Sequence, residues 1–341
     1  MVRNSILFYD PEKSNRNEAK RVLTATGGNC FTPESLSELL ELATTQKYAI
    51  YVLDISGHEF LSQHNVDLTS GHTIILSKEK LGKIQNYLST MDQFSNFIAK
   101  NRHGKLHPKD LLVTVSKLLN NNIFGLRKYL SWGAANIVYH VRDSRQREDY
   151  IGSIVEYCKT MGLRSSIINS VETFCEELLM NAFYDAPRDE SGPIYASKSR
   201  TQTVMLSPND AARMEFASDG ERLAISVADP FGSINRNTVL KYLSKCFDEN
   251  REGIVDNLET SGGAGLGLFF CFNAVSSFII NVSPGQKSEF IGLIDIQSPV
   301  KESHNRNQSF HFFSTNNMAQ QFITNHLDES SEREEEDDEA S

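Results

Sequence analysis

Four short apolar runs shape the first hundred residues, and each delivers a polar residue at or near its C-terminal end. Asp10 follows residues 6–9, Asp54 interrupts residues 48–55, Ser77 follows residues 74–76, and Lys100 follows residues 97–99. Near-continuous apolar runs of this length read as strands buried on both faces. Helical patterns lie between them: one follows Asp10-Pro11-Glu12 to about Thr26, and another carries Leu36, Leu39, Leu40 and Leu42. Strands alternating with helices predict a doubly wound parallel sheet with crossover helices. In such sheets the carboxyl ends of the strands hold the site, which is where the four polar residues fall. Acids converging there can hold Mg2+, a hydroxyl can contact a phosphoryl group, and a lysine can pair with it.

This order of residues resembles the receiver domain of two-component response regulators, over about residues 4–121 of a unit assigned to 1–121, and the resemblance implies a doubly wound (βα)5 fold. The resemblance implies that Asp54 is the phospho-acceptor candidate, Asp10 and Asp54 weak metal sites, Ser77 the switch hydroxyl and Lys100 the switch lysine. Three positions depart from the pattern. Pro11 stands in place of the second metal-binding acid, Ser56-Gly57 replaces Met-Pro after the acceptor, and Asn101 follows the lysine. Two readings therefore stay open, a receiver that accepts phosphate and a pseudo-receiver kept as a docking or dimerising scaffold.

Residues 122–147 read as a helical linker containing Trp132. His140 has neither the acidic-then-proline context nor the helical hairpin of a phosphorylated histidine, and it reads as an ordinary surface or packing residue.

Beyond the linker, three elements stand in order. Between Ser166 and Tyr184 the apolar residues Val171, Phe174, Cys175, Leu178, Leu179, Ala182 and Phe183 recur at helical spacing. That spacing leaves Glu177, Asn181 and Asp185 at i, i+4 and i+8, along one helix face. The Asn oxygen can ligate a hard cation already held by phosphates, and the Glu can orient water or a hydroxyl. Next, the apolar run 223–228 delivers Asp229 into Pro230-Phe231-Gly232. Last, Gly262-Gly263-Ala264-Gly265-Leu266-Gly267 runs straight into an apolar helix. Glycines let the backbone approach phosphates, and the helix N-terminus adds amides. The loop is not a dinucleotide fingerprint, since a helical pattern precedes it, nor a P-loop, since no Lys-Ser/Thr follows.

Together the three resemble the N box and the two glycine boxes of the GHKL superfamily, which joins gyrase, histidine kinases and anti-sigma-factor kinases. The resemblance implies an α/β two-layer sandwich, the Bergerat-type ATPase domain, over residues 148–300. It implies ATP and Mg2+ as cofactors, Asn181 as the Mg2+ ligand and Glu177 as the catalytic residue. Asp185, Asp229, Gly232, Gly263, Gly265, Leu266 and Gly267 would bind the nucleotide, with Asp229 reading adenine. Residues 233–261 would form a lid, and the polar stretch 189–209 is an insertion without an assigned role.

Residues 301–341 are expected to be a C-terminal extension. Its last part, 328–341, holds nine acids against one arginine, a balance of −8 out of −10 for the chain. A run this dense reads as a solvated disordered tail, and the near-neutral remainder gives no basic surplus for nucleic acid. Five cysteines at unpaired spacings suggest neither disulfides nor zinc, and no apolar run reaches the roughly 18 residues of a membrane span. The expectation is a cytoplasmic protein.

The superfamily resemblance implies an ATP-binding signalling protein. The compact layout is most similar to an anti-sigma-factor-type serine/threonine kinase that acts on or sequesters a protein partner, an antagonist or a transcription factor. A homodimer through the linker would fit. Two alternatives stay open, a non-catalytic ATP-dependent binding switch and a soluble histidine-kinase-like protein of a two-component pathway.

Overall fold

The computed structural model describes residues 4–84, 94–195, 197–247, 266–297 and 307–315. Strand β1 (Ser5–Tyr9), helix α1 (Lys13–Thr24), β2 (Asn29–Phe31), α2 (Leu36–Thr45), β3 (Ile50–Asp54), α3 (Ile55–Gln63), β4 (His72–Ser77), β5 (Phe94–Ala99) and α4 (Pro108–Asn120) make the first half. The strands pair in parallel in the order β2-β1-β3-β4-β5, a doubly wound arrangement. Every residue of β1 and β3 is buried, as unbroken apolar strands require. Strand β2 escapes the apolar pattern because it is three residues long and half-exposed at the sheet edge.

The helices start and stop on local chemistry. Ser35 caps α2 by accepting from Glu38 N at 3.2 Å, while the Glu38 carboxylate reaches back to Glu34 N at 2.7 Å. Pro108 opens α4, where a missing N–H costs nothing, and Asn121 closes it in the left-handed region at φ 48°.

The second half comprises β6 (Asn136–Val141), α5 (Arg147–Thr160), α6 (Ser165–Met180), a small hairpin β7 (Arg188–Asp189) with β8 (Gly192–Pro193), β9 (Ala212–Ser218), β10 (Arg222–Asp229), α7 (Arg236–Phe247), α8 (Leu266–Ala274), β11 (Ser277–Ser283), β12 (Lys287–Asp295) and β13 (Ser309–Ser314). Two expectations fail here. Residues 122–147 are not a helical linker but short 3-10 turns at Leu126–Tyr129 and Ser144–Gln146 flanking β6. Gly125 and Gly133, at φ 106° and 93°, interrupt any helix, and the β-branched and aromatic run Ile137-Val138-Tyr139 suits a strand beside β9.

Likewise, the stretch 301–341 is not wholly an extension, because β13 is a buried strand inside the sheet. It runs parallel to β11 and antiparallel to β5, so both halves share one eleven-stranded sheet, β2-β1-β3-β4-β5-β13-β11-β12-β10-β9-β6. Its alternating Phe310, Phe312 and intervening His311, all buried, fill the seam on both faces.

On one face of that sheet α2 and α3 cover the first half and α5, α6, α7 and α8 the second. On the other, α1, α4 and residues 123–134 bury a core that extends from Ile6 and Phe8 to Ile279, Ile291 and Leu293. Helix α4 is bolted to the second half. Arg222 of β10 meets Asp110 through two contacts of 2.5 and 3.1 Å and Asp295 at 3.0 Å. Burial works against the Asp110 carboxylate, but Arg222 outweighs it and holds the carboxyl below its ordinary range. Deeper in, Lys117 donates to Tyr129 Oη and Asn281 Oδ1, both at 2.7 Å, and lies over the Phe313 ring. No described helix is long and apolar enough to cross a membrane.

Candidate functional site

The carboxyl edge of the first five strands brings Asp10, Asp54 and Lys100 into contact, all buried. Lys100 Nζ sits 2.7 Å from Asp10 Oδ2 and contacts Asp54 Oδ2 as well. The remaining acceptors are also engaged: Asp10 Oδ1 takes Glu12 N at 2.9 Å and Asp10 Oδ2 takes the Asn15 amide at 3.0 Å. Asp54 Oδ1 takes Ser56 N at 3.1 Å and Ser56 Oγ at 2.6 Å, which caps α3. Ser77 stands beside them, its carbonyl accepting Lys100 N at 2.8 Å and its hydroxyl accepting Glu79 N at 2.9 Å.

A divalent cation here would need six or more oxygens. Only two carboxylates converge, a lysine already lies between them, and Pro11 stands in the adjoining position. Among the described residues no group of three or more potential ligands comes together. As arranged, this donor set does not fit a resident metal. Gly57 follows from the same geometry, because a Cβ there would overlap the ring of Tyr9.

A second cluster lies in the other half. Helix α6 ends at Met180 and continues as one π-helical turn, Asn181–Asp185, closed by Ala186 N to Asn181 O at 2.9 Å. Single π turns widen a helix locally and are frequent at functional sites. The plain α-helical stripe expected for Glu177, Asn181 and Asp185 is therefore broken after Asn181. Asp185 turns to Arg200, whose Nη2 lies 2.9 Å from both carboxylate oxygens.

Glu177 is half-buried where α6 meets the N-terminus of α8. Burial raises its pKa, and neighbouring Glu176 and Asp185 add to the rise while Arg200 opposes it. The Glu177 carboxylate lies against the α-carbon of Gly267, where a Cβ would overlap Oε2 and make the carboxylate shift. Gly263 and Gly265 lie outside the described residues, as does the Leu266 side chain. The lid expected over 233–261 is described only to 247, where α7 occupies its first part.

Asp229 ends β10, and that strand packs against the π turn. The carboxyl is buried, accepts Phe231 N at 3.0 Å, and is pushed up by burial to about 6 against the opposing amides of Phe231 and Gly232. Ser288 of β12 lies directly across from it in the ladder. The Ser288 side chain helps to hold the Asp229 charge, yet its buried oxygen makes no hydrogen bond of ordinary geometry. Gly232 adopts φ 58°, and a side chain there would collide with the Ser283 carbonyl of the β11–β12 turn. Its carbonyl accepts Gly285 N at 3.2 Å, so the turn after Asp229 is fixed from below.

The second cluster thus combines a carboxylate of raised pKa, a carboxamide one turn on, a buried acceptor at a strand end, and an arginine. Arg200 and Ser288 were not foreseen. Neither carries a periodic or motif signal: Arg200 lies within the polar insertion, and Ser288 stands between Lys287 and Glu289 at the polar start of β12.

No family model matches the chain, and no curated protein matches it. Among solved structures, the receiver domain of the Francisella response regulator 1452 is similar at 21% sequence identity, over 35% of this chain and 98% of that one, with a TM-score of 0.28.

Proposed function

We propose that this is an ATP-binding signalling protein, its second half a GHKL-type domain of Bergerat fold and its first half a receiver-like regulator. In this reading it is an anti-sigma-factor-type kinase that phosphorylates a serine or threonine of a protein partner, or sequesters that partner. The observation that carries the reading is the meeting of Glu177 with the N-terminus of α8, one turn before Asn181 and beside the strand that ends in Asp229.

Each residue then has a chemical task. Mg2+ arrives with most of its ligands supplied by phosphates and water, and one carboxamide oxygen from Asn181 completes a set of that kind. Amides at the start of α8 offer an anion site for the phosphates. The buried Asp229 carboxylate accepts from the exocyclic amine of adenine, and at neutral pH a group with a pKa of about 6 is mostly ionised. A glutamate whose pKa has risen toward neutrality is a better base than an exposed one. The partner's hydroxyl loses its proton to Glu177 as its oxygen bonds the terminal phosphorus and ADP departs.

Calorimetry of Mg-ATP binding to the wild type and to Asn181→Ala tests this, followed by incubation with labelled ATP. Binding by the wild type that falls at least tenfold in the variant is expected, with label appearing on a partner protein. A wild type that binds no nucleotide would remove the proposal altogether. A second reading, a binding switch without phosphotransfer, is favoured by the shared sheet, which joins the proposed nucleotide half to the receiver-like half. A ligand with different affinity for two states of such a body shifts their populations without any chemistry. Binding without label on any protein selects that reading.

A further inference from the structure

Residues 189–209 have so far no role, yet they carry Arg200 into the cluster around Glu177. The delivery is constrained at several points. The Tyr184 hydroxyl lies within hydrogen-bonding distance of two carbonyls of this segment, Arg200 O at 3.0 Å and Gln202 O at 2.7 Å. The Tyr184 ring, fully buried, also lies under the guanidinium at 5.1 Å from its centroid. Downstream, Val204 N donates to the Ser144 hydroxyl at 2.9 Å, which ties the return of the segment to the body.

Within that frame the guanidinium is only half used. Its Nη2 spans both oxygens of Asp185, whereas Nη1 is buried and has no partner among the described residues. Buried guanidinium N–H groups are normally satisfied, because a cationic donor without an acceptor is unfavourable. Arginine's planar fork suits a phosphate oxygen on one nitrogen while another stays on a carboxylate. Asp185 and Glu177 would otherwise set two negative charges beside a nucleotide's phosphates. Arg200 balances them, and its field already reaches Glu177.

We propose that Arg200 is a phosphate-binding residue of the nucleotide site, with Nη1 donating to the phosphate chain and Asp185 acting as the positioning residue that holds the guanidinium plane. The inference rests on the ATP-site reading and adds to it the function of the 189–209 segment: a wall that completes the site with a cation from outside the three sequence elements.

The test compares wild type, Arg200→Ala and Arg200→Gln in the full chain, by calorimetry with Mg-ATP, Mg-ADP and adenosine. Arg200→Gln removes the guanidinium while keeping the first part of the aliphatic stem and a polar end, and a thermal melt of each variant checks folding. Losing a charge-assisted hydrogen bond predicts ATP binding weaker by about tenfold to a hundredfold, with adenosine affinity changed by less than about twofold. A loss confined to ATP assigns the contact to the terminal phosphate, and a loss shared with ADP assigns it further in. Equal losses for all three ligands, or none in a folded Arg200→Gln, would overturn the proposal and leave the Asp185 pair as a purely structural tie. A wild type that binds neither adenosine nor ATP instead removes the underlying ATP-site reading, so the two failures are separable.

Discussion

At Gly57 the absence of a side chain is what leaves room for the Tyr9 ring beside the Asp54 cluster. Gly57→Ala forces the ring or the start of α3 to move, and overpacking of this kind costs about 1–3 kcal/mol. Chemical denaturation should show the loss, and an unchanged midpoint would mean that the ring moves freely. Asp229 makes a prediction of a different sort. Its carboxyl is raised from 3.8 to about 6 in the folded protein, so the folded state holds this proton more tightly than the unfolded one. The favourable contribution is complete below pH 4 and is lost as pH rises through 6, about 3 kcal/mol in all. Asp229→Asn should therefore stabilise the protein at pH 7.5, and the gain should shrink toward pH 4. Melting curves of both proteins across that range check the sign. Glu177, Asn181 and Asp229 were legible because helical spacing and strand ends place them. Arg200 was not, since its position depends on Tyr184 reaching across to a polar segment that has no period of its own.

Among the elements, α4 has a dual allegiance, packed on α1 and fastened to β10 through Arg222 and to β11 through Asn281. Removing one partner of a largely buried pair leaves an uncompensated charge, typically about 3–5 kcal/mol. Arg222→Met is expected to cost that order of stability through Asp110, and adding Asp110→Asn should restore part of it. Additive losses in the double mutant, measured by denaturant titration, would show that the pair carries no coupling. The strands β1, β3 and β4 could be read directly, because burial on both faces gives each an unbroken apolar run with polar residues only toward its ends. Strands β6 and β13 could not. β6 is an edge strand with Ile137 and Val138 exposed, and its polar-apolar mixture imitates a linker. β13 has a good alternating pattern, but its six residues acquire meaning only from the two edges that they join.

For the molecule as a whole, β13 decides whether there is one cooperative unit or two. Calorimetric unfolding of the full chain is expected to give a single transition, and Phe312→Asp, which sets a charge in the seam, is expected to split it. Two transitions in the wild type would show that the halves unfold independently. The seam also contains His311, held neutral by burial and by the nearby Lys117, with its pKa lowered to about 3 and Nδ1 3.0 Å from Asn96 Oδ1. The unfolded chain takes up that proton below about 6.5 and the folded chain does not, so stability from this residue falls as pH drops from 6.5 toward 3. At the other end of β13, Asn307 contacts the Lys78 carbonyl and lies 3.5 Å from that of Lys100, within reach of both loops that frame Asp54. The order of the chain adds a consequence for biosynthesis. A ribosome delivers β5 more than two hundred residues before β13, so throughout that interval the nascent first half carries a bare strand edge. The strand that covers it comes late, and the join between the halves is a closing event in the assembly of the polypeptide.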